Sequence, residues 1–461
     1  MIRKIKIKAS ILKQFLWFYS TTLFVILAFL FLLILHRSNY DVANTIAFFG
    51  DILGNIVTSP LFYIIALIPY LLFLLIKSIV RNYKQNKIKG LVKGVFYKIV
   101  IPVMVIFIGN KALQSYRSSE AINYTWDTNI ENNLTKINNY YTIDNKQRGI
   151  HVFNISGNLE DIEQLKTNNF EWITITPFID QNHYNKPAIR LISDDNYSRR
   201  LKRYKTIKEE CDKFGIKIML KPHIWLSKME DGKWRSDIEM ETEHDWKTWF
   251  ANYSQVMLKY AELAEELQLE QFCIGTELET TVYKKPEQWN ILIQQVKSIY
   301  TGKLTYAANW YNEYEAVPFW DKLDYIGIQA YFPLSTTDNP TLEELENNWK
   351  KHIKDIAAVS EKYDKPVLFT EIGYKSIKGT SEKPWEWNSA KSIYSKISKK
   401  EQLLCYQSFF NTVWKEPWFH GIHIWEWQGR GKSDGANTNF TIEGKPSLNL
   451  IAKYFKIGNK H

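Results

Sequence analysis

Glu277 and Glu371 are the residues whose type and setting best suit them to chemistry. Each closes a short run of β-branched, small or aromatic residues: Phe272-Cys273-Ile274-Gly275 leads into Thr276-Glu277-Leu278-Glu279, and Val367-Leu368-Phe369-Thr370 leads into Glu371-Ile372-Gly373-Tyr374. Two facing carboxyl groups can divide a task. One, protonated, gives its proton to a departing oxygen, while the other, ionised, meets positive charge developing at carbon. That is what cleaving a glycosidic bond requires, and a separation of about 5–5.5 Å would give retention through a covalent intermediate. Glu279 shares an alternation face with Glu277 and competes for the proton-donating role. Glu426 points away from its flanking tryptophans and is expected in an outer salt bridge.

Other polar and aromatic residues end neighbouring runs. His223 and Trp225 follow Ile216-Lys217-Ile218-Met219-Leu220, Asn309 and Trp310 follow Leu304-Thr305-Tyr306-Ala307, and Tyr331 follows Tyr325-Ile326-Gly327-Ile328. Trp425 and Trp427 follow Gly421-Ile422-His423-Ile424 and share one face, so alternation does not choose between them. Sugars present apolar ring faces and hydroxyl edges, so aromatic platforms with a few hydrogen-bonding groups are what a saccharide cleft needs. Lys221 and Arg190 are read as solvated rim cations. His420 and His423 have no partners at metal-ligand spacing, so no metal and no cofactor is expected. No Gly-x-Ser-x-Gly nucleophile motif is present.

Eight such runs position these groups, the first two being Gly149-Ile150-His151-Val152-Phe153 and Trp172-Ile173-Thr174-Ile175. Helical patterns such as Asp245 to Leu267 and Thr341 to Tyr363 separate them. Strand–helix alternation implies a parallel sheet, and eight units over 148–461 predict an α/β fold of the closed (β/α)8 TIM-barrel type, with reacting groups at the carboxyl ends of the strands. No Gly-rich phosphate loop follows the first run, which disfavours a dinucleotide-binding sheet.

The stretches Cys273-Ile274-Gly275-Thr276-Glu277-Leu278, Leu220-Lys221-Pro222-His223, Ala307-Ala308-Asn309-Trp310 and Phe369-Thr370-Glu371-Ile372-Gly373-Tyr374 resemble those of glycoside hydrolase family 113, in clan A of retaining (β/α)8 hydrolases. That family is known for β-1,4-mannanases, and the resemblance covers about residues 148 to 457. It implies Glu277 as acid/base, Glu371 as nucleophile, and Tyr331 as a hydroxyl donor to the nucleophile. His223, Trp225, Asn309, Trp310, Trp425 and Trp427 would contact substrate. Most clan members carry Asn just before the acid/base, where this chain has Thr276, so binding of a substrate 2-hydroxyl there is in doubt.

Residues 1–110 are of another kind. Leu16 to Leu35 and Ile52 to Ile76 are uncharged and long enough to cross a hydrocarbon core of roughly 30 Å, the second with a kink expected at Pro69. A third, shorter stretch from Val95 to Gly109 contains Lys98 and Pro102 and is either a span or an interfacial segment. Basic residues cluster before the first run (Arg3, Lys4, Lys6, Lys8, Lys13) and after the second (Arg81, Lys84, Lys87, Lys89, Lys93), with Arg37 between. Positive-inside bias keeps both clusters and the N-terminus cytoplasmic, and three spans then put the barrel on the periplasmic or extracellular side. Residues 111–147, rich in Asn, Ser, Thr and Tyr, read as a linker or stalk.

Much of the formal net charge of +10 sits in these flanks, so it does not argue for nucleic acid. Cys211, Cys273 and Cys405 are odd in number and widely spaced, offering neither a disulfide framework nor a zinc pattern. The partners expected are an oligo- or polysaccharide and a lipid bilayer. The sequence thus predicts a membrane-anchored retaining glycosidase of β-linked polysaccharide. The alternatives are a catalytically silent carbohydrate-binding barrel and a transglycosylase of envelope polysaccharide.

Overall fold

The computed structural model describes residues 2–37, 60–117, 139–155, 159–228, 230, 232–337, 339–387, 395–429 and 438–456. The chain divides into two compact units, Met1–Ser115 and Tyr116–His461.

The first unit is helical, with helices Ile2–Arg37, Pro60–Val95 and Ile101–Arg117 and a π-helical turn, Phe96–Val100, before the last. Phe15 and Phe18 of the first helix meet Tyr70 and Phe73 of the second, with ring centroids 5.0 Å apart for Phe15–Tyr70 and 5.2 Å for Phe18–Phe73. The interruption of the second helix falls at Asn86 and Lys87, whose backbone dihedrals are non-helical; Pro69 lies within it. Lys98 donates to Ser78 Oγ at 2.6 Å. One helical stretch, Leu67–Leu113, is long and apolar enough by length and composition to cross a membrane, and Lys13–Phe29 is a shorter apolar helix. Residues 52–59, the start of the second apolar run, lie outside the described residues.

The second unit is a closed barrel of eight parallel strands. Its strands are β1 (Gln147–Val152), β2 (Trp172–Ile175), β4 (Lys217–Leu220), β6 (Gln271–Thr276), β7 (Lys303–Asn309), β8 (Tyr325–Gln329), β9 (Val367–Ile372) and β10 (Phe419–Trp427). Each runs next to its successor, and β10 returns to β1. All eight expected runs are barrel strands, buried on both faces because helices cover the outside. The helices begin as their sequences direct: Ser193, Thr242, Thr341 and Ser398 cap four of them by accepting a backbone N–H three residues on.

Two short strands stand above the barrel. β3 (Phe178–Gln181) pairs in parallel with β5 (His223–Leu226). Pro177 and Pro222 explain the step: neither has an N–H for a sheet ladder, so the chain leaves the barrel after β2 and again after β4, and the two departures pair with each other. His223 and Trp225 therefore lie on this ribbon, where the sequence reading had them ending the third barrel strand. The expected linker is described in part. Residues 118–138 lie outside the described residues, 111–117 are helical, and 139–147 pack on the barrel. The Tyr140 and Tyr141 amides donate to Glu171 at 2.6 and 3.0 Å, and Arg148 donates to both oxygens of Asp144 at 3.0 and 2.6 Å.

Inside the barrel, polar side chains replace much of the usual aliphatic filling. Gln147 donates to Gln271 at 2.8 Å, His423 bridges Gln147 and Thr174 at 2.8 and 2.6 Å, and His151 bridges Thr176 and the Thr370 carbonyl at 3.0 and 2.9 Å. The three cysteines are fully buried and free.

Candidate active site

Glu371 lies near the end of β9, the seventh barrel strand, in a setting that fixes its charge. Its Oε1 accepts from the Lys221 ammonium at 2.6 Å and its Oε2 from the Tyr331 hydroxyl at 2.8 Å. His223 Nε2 stands 3.5 Å from Oε1. Burial alone would raise the carboxyl, but Lys221 overrides it and brings the group down to about 2, with Gln329 adding a hydrogen bond. Glu371 is an anion at any neutral pH.

Lys221 is fully buried rather than a solvated rim cation, because its ammonium is paired where it ends. It donates to Gln329 Oε1 at 2.7 Å as well as to Glu371, with the Thr370 carbonyl 3.4 Å away. Burial lowers its pKa and Glu371 opposes that. His223 Nδ1 accepts from Arg235 at 2.9 Å, so its Nε2 carries the proton facing Glu371. Burial, with Lys221 and Arg235 nearby, keeps this imidazole neutral. Burial does the same for His151, lowered to about 3.

Glu277 follows β6, the fourth barrel strand, and its contacts are longer. Arg235 Nε is 3.5 Å and Trp234 Nε1 3.4 Å from its Oε2, and Gln329 Nε2 is 3.4 Å from its Oε1. Its backbone is left-handed, with φ +52, a conformation non-glycine residues seldom adopt. Gln329 thus lies between the two acids, its Nε2 3.4 Å from Glu277 and its Oε1 accepting from the Lys221 ammonium that holds Glu371. Its amide orientation is set by Lys221, which can only donate, so the oxygen faces Lys221 and the nitrogen faces Glu277.

The profile of Glycoside Hydrolase Family 113 matches residues 145–445. The chain belongs to that family. It is a glycoside hydrolase with a (β/α)8 barrel. Among solved structures it is similar to the GH113 beta-mannanase AaManA from Alicyclobacillus acidocaldarius in complex with ManMIm, at 27% identity and TM-score 0.58, over 67% of this chain and 97% of that one. It shares the fold of a GH113 beta-1,4-mannanase at 24% identity and TM-score 0.58, over 68% of this chain and 99% of the other. No curated protein matches the sequence.

Around the acids of this family 113 barrel, the structure gathers some of the aromatic residues read from sequence and separates others. Trp425, Tyr331 and Phe440 form a small apolar cluster against which Phe153 and Trp310 pack, and the Trp425 ring lies 11° from parallel to His223, centroids 6.3 Å apart. Trp310 also packs on Trp385, with centroids 5.0 Å apart. Trp225 is 41% exposed on β5, edge-on to Phe178 and to Trp234, whose indole reaches Glu277. Asn309 ends β7, where its amide N–H is held by Glu313 Oε2. Trp427 is placed elsewhere, buried in the main core. The register between β1 and β10 slips between Ile150 and Val152, so the two tryptophans are not equivalent steps of one alternation.

Glu426 is buried instead of lying in an outer salt bridge, and burial raises it to about 7. Glu279 begins the helix Glu279–Lys284, half-buried, and burial raises its pKa. Arg190 is exposed and pairs with Asp180 at 3.2 Å. Sequence reasoning missed Gln329, Trp234 and Arg235. Gln329 carried a signal, as the polar residue closing the sixth run; Trp234 and Arg235 sit in a connection with no periodicity.

Proposed function

We propose that this glycoside hydrolase is a retaining endo-acting enzyme of β-1,4-mannan or a closely related β-linked polysaccharide, with Glu371 as nucleophile and Glu277 as acid/base. The observation that carries the reading is Glu371, buried yet held as an anion by Lys221 and Tyr331, with Gln329 reaching from Lys221 to Glu277. A Glu371 oxygen attacks the anomeric carbon as the glycosidic C–O bond breaks, and the departing oxygen takes the proton of Glu277. Water then attacks the same carbon, gives its proton to Glu277, and the ester bond to Glu371 breaks. Neutral His223 offers its Nε2–H, and Trp425 a ring face, to the sugar held between the acids. Polymer is favoured over a small glycoside because exposed rings come from more than one element: Trp225 on the ribbon beside Trp234, and Trp385 and Trp387 after β9 beside Trp310 and Trp425. The AaManA likeness supports mannan as the glycan.

The test is digestion of mannan and of mannohexaose by the full chain, with NMR of the first product. Internal cutting with the β-anomer formed first supports the proposal; an α-anomer formed first, or no cleavage, refutes it.

We further propose the organisation 1–110 as a membrane region, 111–147 as a linker and 148–461 as the catalytic domain, with the N-terminus cytoplasmic and the barrel outside. The apolar stretch Leu67–Leu113 and the basic clusters flanking the apolar runs support this. Alkaline carbonate should leave the full chain in the membrane pellet, and protease added to intact cells should reach the barrel; release of the chain or protection of the barrel would remove the corresponding part.

A further inference from the structure

Glu313 begins the helical turn Glu313–Ala316 that follows β7 and is fully buried. No ion pair to it is found among the described residues, so what it gains for its burial is hydrogen bonding. One carboxyl oxygen accepts from the Tyr306 hydroxyl, and the other accepts the backbone N–H of Asn309 at 2.6 Å. The Tyr306 oxygen in turn accepts the backbone N–H of Leu278 at 2.7 Å.

Leu278 is the residue after Glu277, where the left-handed turn carries the backbone out of β6. The N–H of Glu277 donates to the Ala307 carbonyl at 2.9 Å. Both amides that bracket the Glu277 Cα are therefore fastened to β7, one directly and one through Tyr306. Rotation about the two backbone bonds of Glu277 would break one or the other. Tyr306 can lie this close because Gly275 has no side chain: a Cβ there would come within 2.7 Å of Trp289 and 2.8 Å of Tyr306 ring atoms. Burial raises the Glu313 carboxyl to about 8, and its hydrogen bonds from Asn309 and Tyr306 oppose that by favouring the carboxylate, in which both oxygens accept. An amide of the same shape would turn an NH2 towards one of two donors.

We propose that Glu313 is a positioning residue for the acid/base: through Tyr306 it fixes the turn that aims Glu277, and through the Asn309 amide it ties that turn to the neighbouring strand end, without touching sugar. The proposal rests on the reading of Glu277 as proton donor. It therefore predicts an effect confined to steps that need that proton.

The experiment compares kcat/KM on mannohexaose, whose leaving group needs a proton, with kcat/KM on 2,4-dinitrophenyl β-mannobioside, whose leaving group does not. Glu313→Gln and Tyr306→Phe in the full chain should each lose about 10- to 100-fold on the first and less than about 3-fold on the second. Tyr306→Phe removes one hydroxyl and keeps the ring, so it carries the test if Glu313→Gln folds poorly. Equal losses on both substrates, or no loss on either, would overturn the proposal. Glu277→Gln is the control: absence of the same split there means that the proton-donor reading has failed, whereas a split there without one at Glu313 or Tyr306 sinks the positioning role alone.

Discussion

At the end of β9, Glu371 is buried, salt-bridged at 2.6 Å and hydrogen-bonded at 2.8 Å. At the end of β6, Glu277 sits on a left-handed turn with no side-chain contact shorter than 3.4 Å among the described residues. The two strand ends present the same side chain under opposite constraints. At β9 the side chain is clamped; at β6 the backbone is clamped and the carboxyl is left loose. A group that must stay ionised gains from strong, short donors. One that must lose and regain a proton in each turnover would be trapped by them, since a donor that favours the anion opposes reprotonation.

The contrast can be broken most forcefully by Glu371→Gln, which should lower kcat on mannan by about 10⁵-fold or more while the circular dichroism spectrum is kept and the unpaired Lys221 lowers the melting temperature. Glu277→Gln should cost about 10²- to 10⁴-fold on mannan, and on 2,4-dinitrophenyl β-mannobioside, where only the second step still needs this residue, azide should partly restore turnover as an external nucleophile that needs no base. Rescue at 371 and not at 277 would exchange the two roles.

Lys221→Met probes the clamp itself. It leaves a buried carboxylate without its counter-ion, at a cost of about 3–5 kcal/mol read by urea denaturation, and the acid limb of kcat/KM should move upward. The sign follows from the direction of the shift. Glu371 is depressed from 4.5 to about 2, so in the intact protein its stabilisation is whole above the unfolded value near 4.5 and is lost as pH falls through about 2. Without Lys221 the largest influence opposing burial is gone, and the group rises. Tyr331→Phe removes one donor to the anion, about 1.5–3 kcal/mol, giving a smaller shift in the same direction.

The smallest effect concerns a carboxyl outside the pair. Glu426 is raised by burial to about 7, so its contribution is present below the unfolded value near 4.5 and is lost as pH rises towards 7. Glu426→Gln should flatten the fall in unfolding stability between about pH 5 and 7, by on the order of 3 kcal/mol at most. An unchanged pH slope would mean that Glu426 titrates normally.

The parts of this design that repeat along the chain were legible in the sequence. The strand–helix alternation spells out the eight barrel strands, and strand-end polarity marks Glu277, Glu371 and Tyr331. Contacts made only by closure were not legible. Lys221 looks like any rim lysine until the barrel closes and puts Glu371 2.6 Å from its ammonium. Trp425 and Trp427 look alike until a register slip parts them. Glu313 lies four residues past Asn309 in a turn whose purpose shows only when Tyr306 and Leu278 are seen together. Pro177 and Pro222 were readable in principle, since a matched pair of ladder-breaking residues after consecutive strands announces that both chains depart at one level.

The sealed thiols bear on how the enzyme can be made. Cys211, Cys273 and Cys405 lie on a helix between β2 and β4, on β6, and on the helix before β10, each walled off from solvent. No cross-link among them is part of the finished barrel, so its maturation calls for no oxidising machinery. The enzyme should fold equally well beside glutathione or outside the cell, and a reducing buffer should cost it nothing.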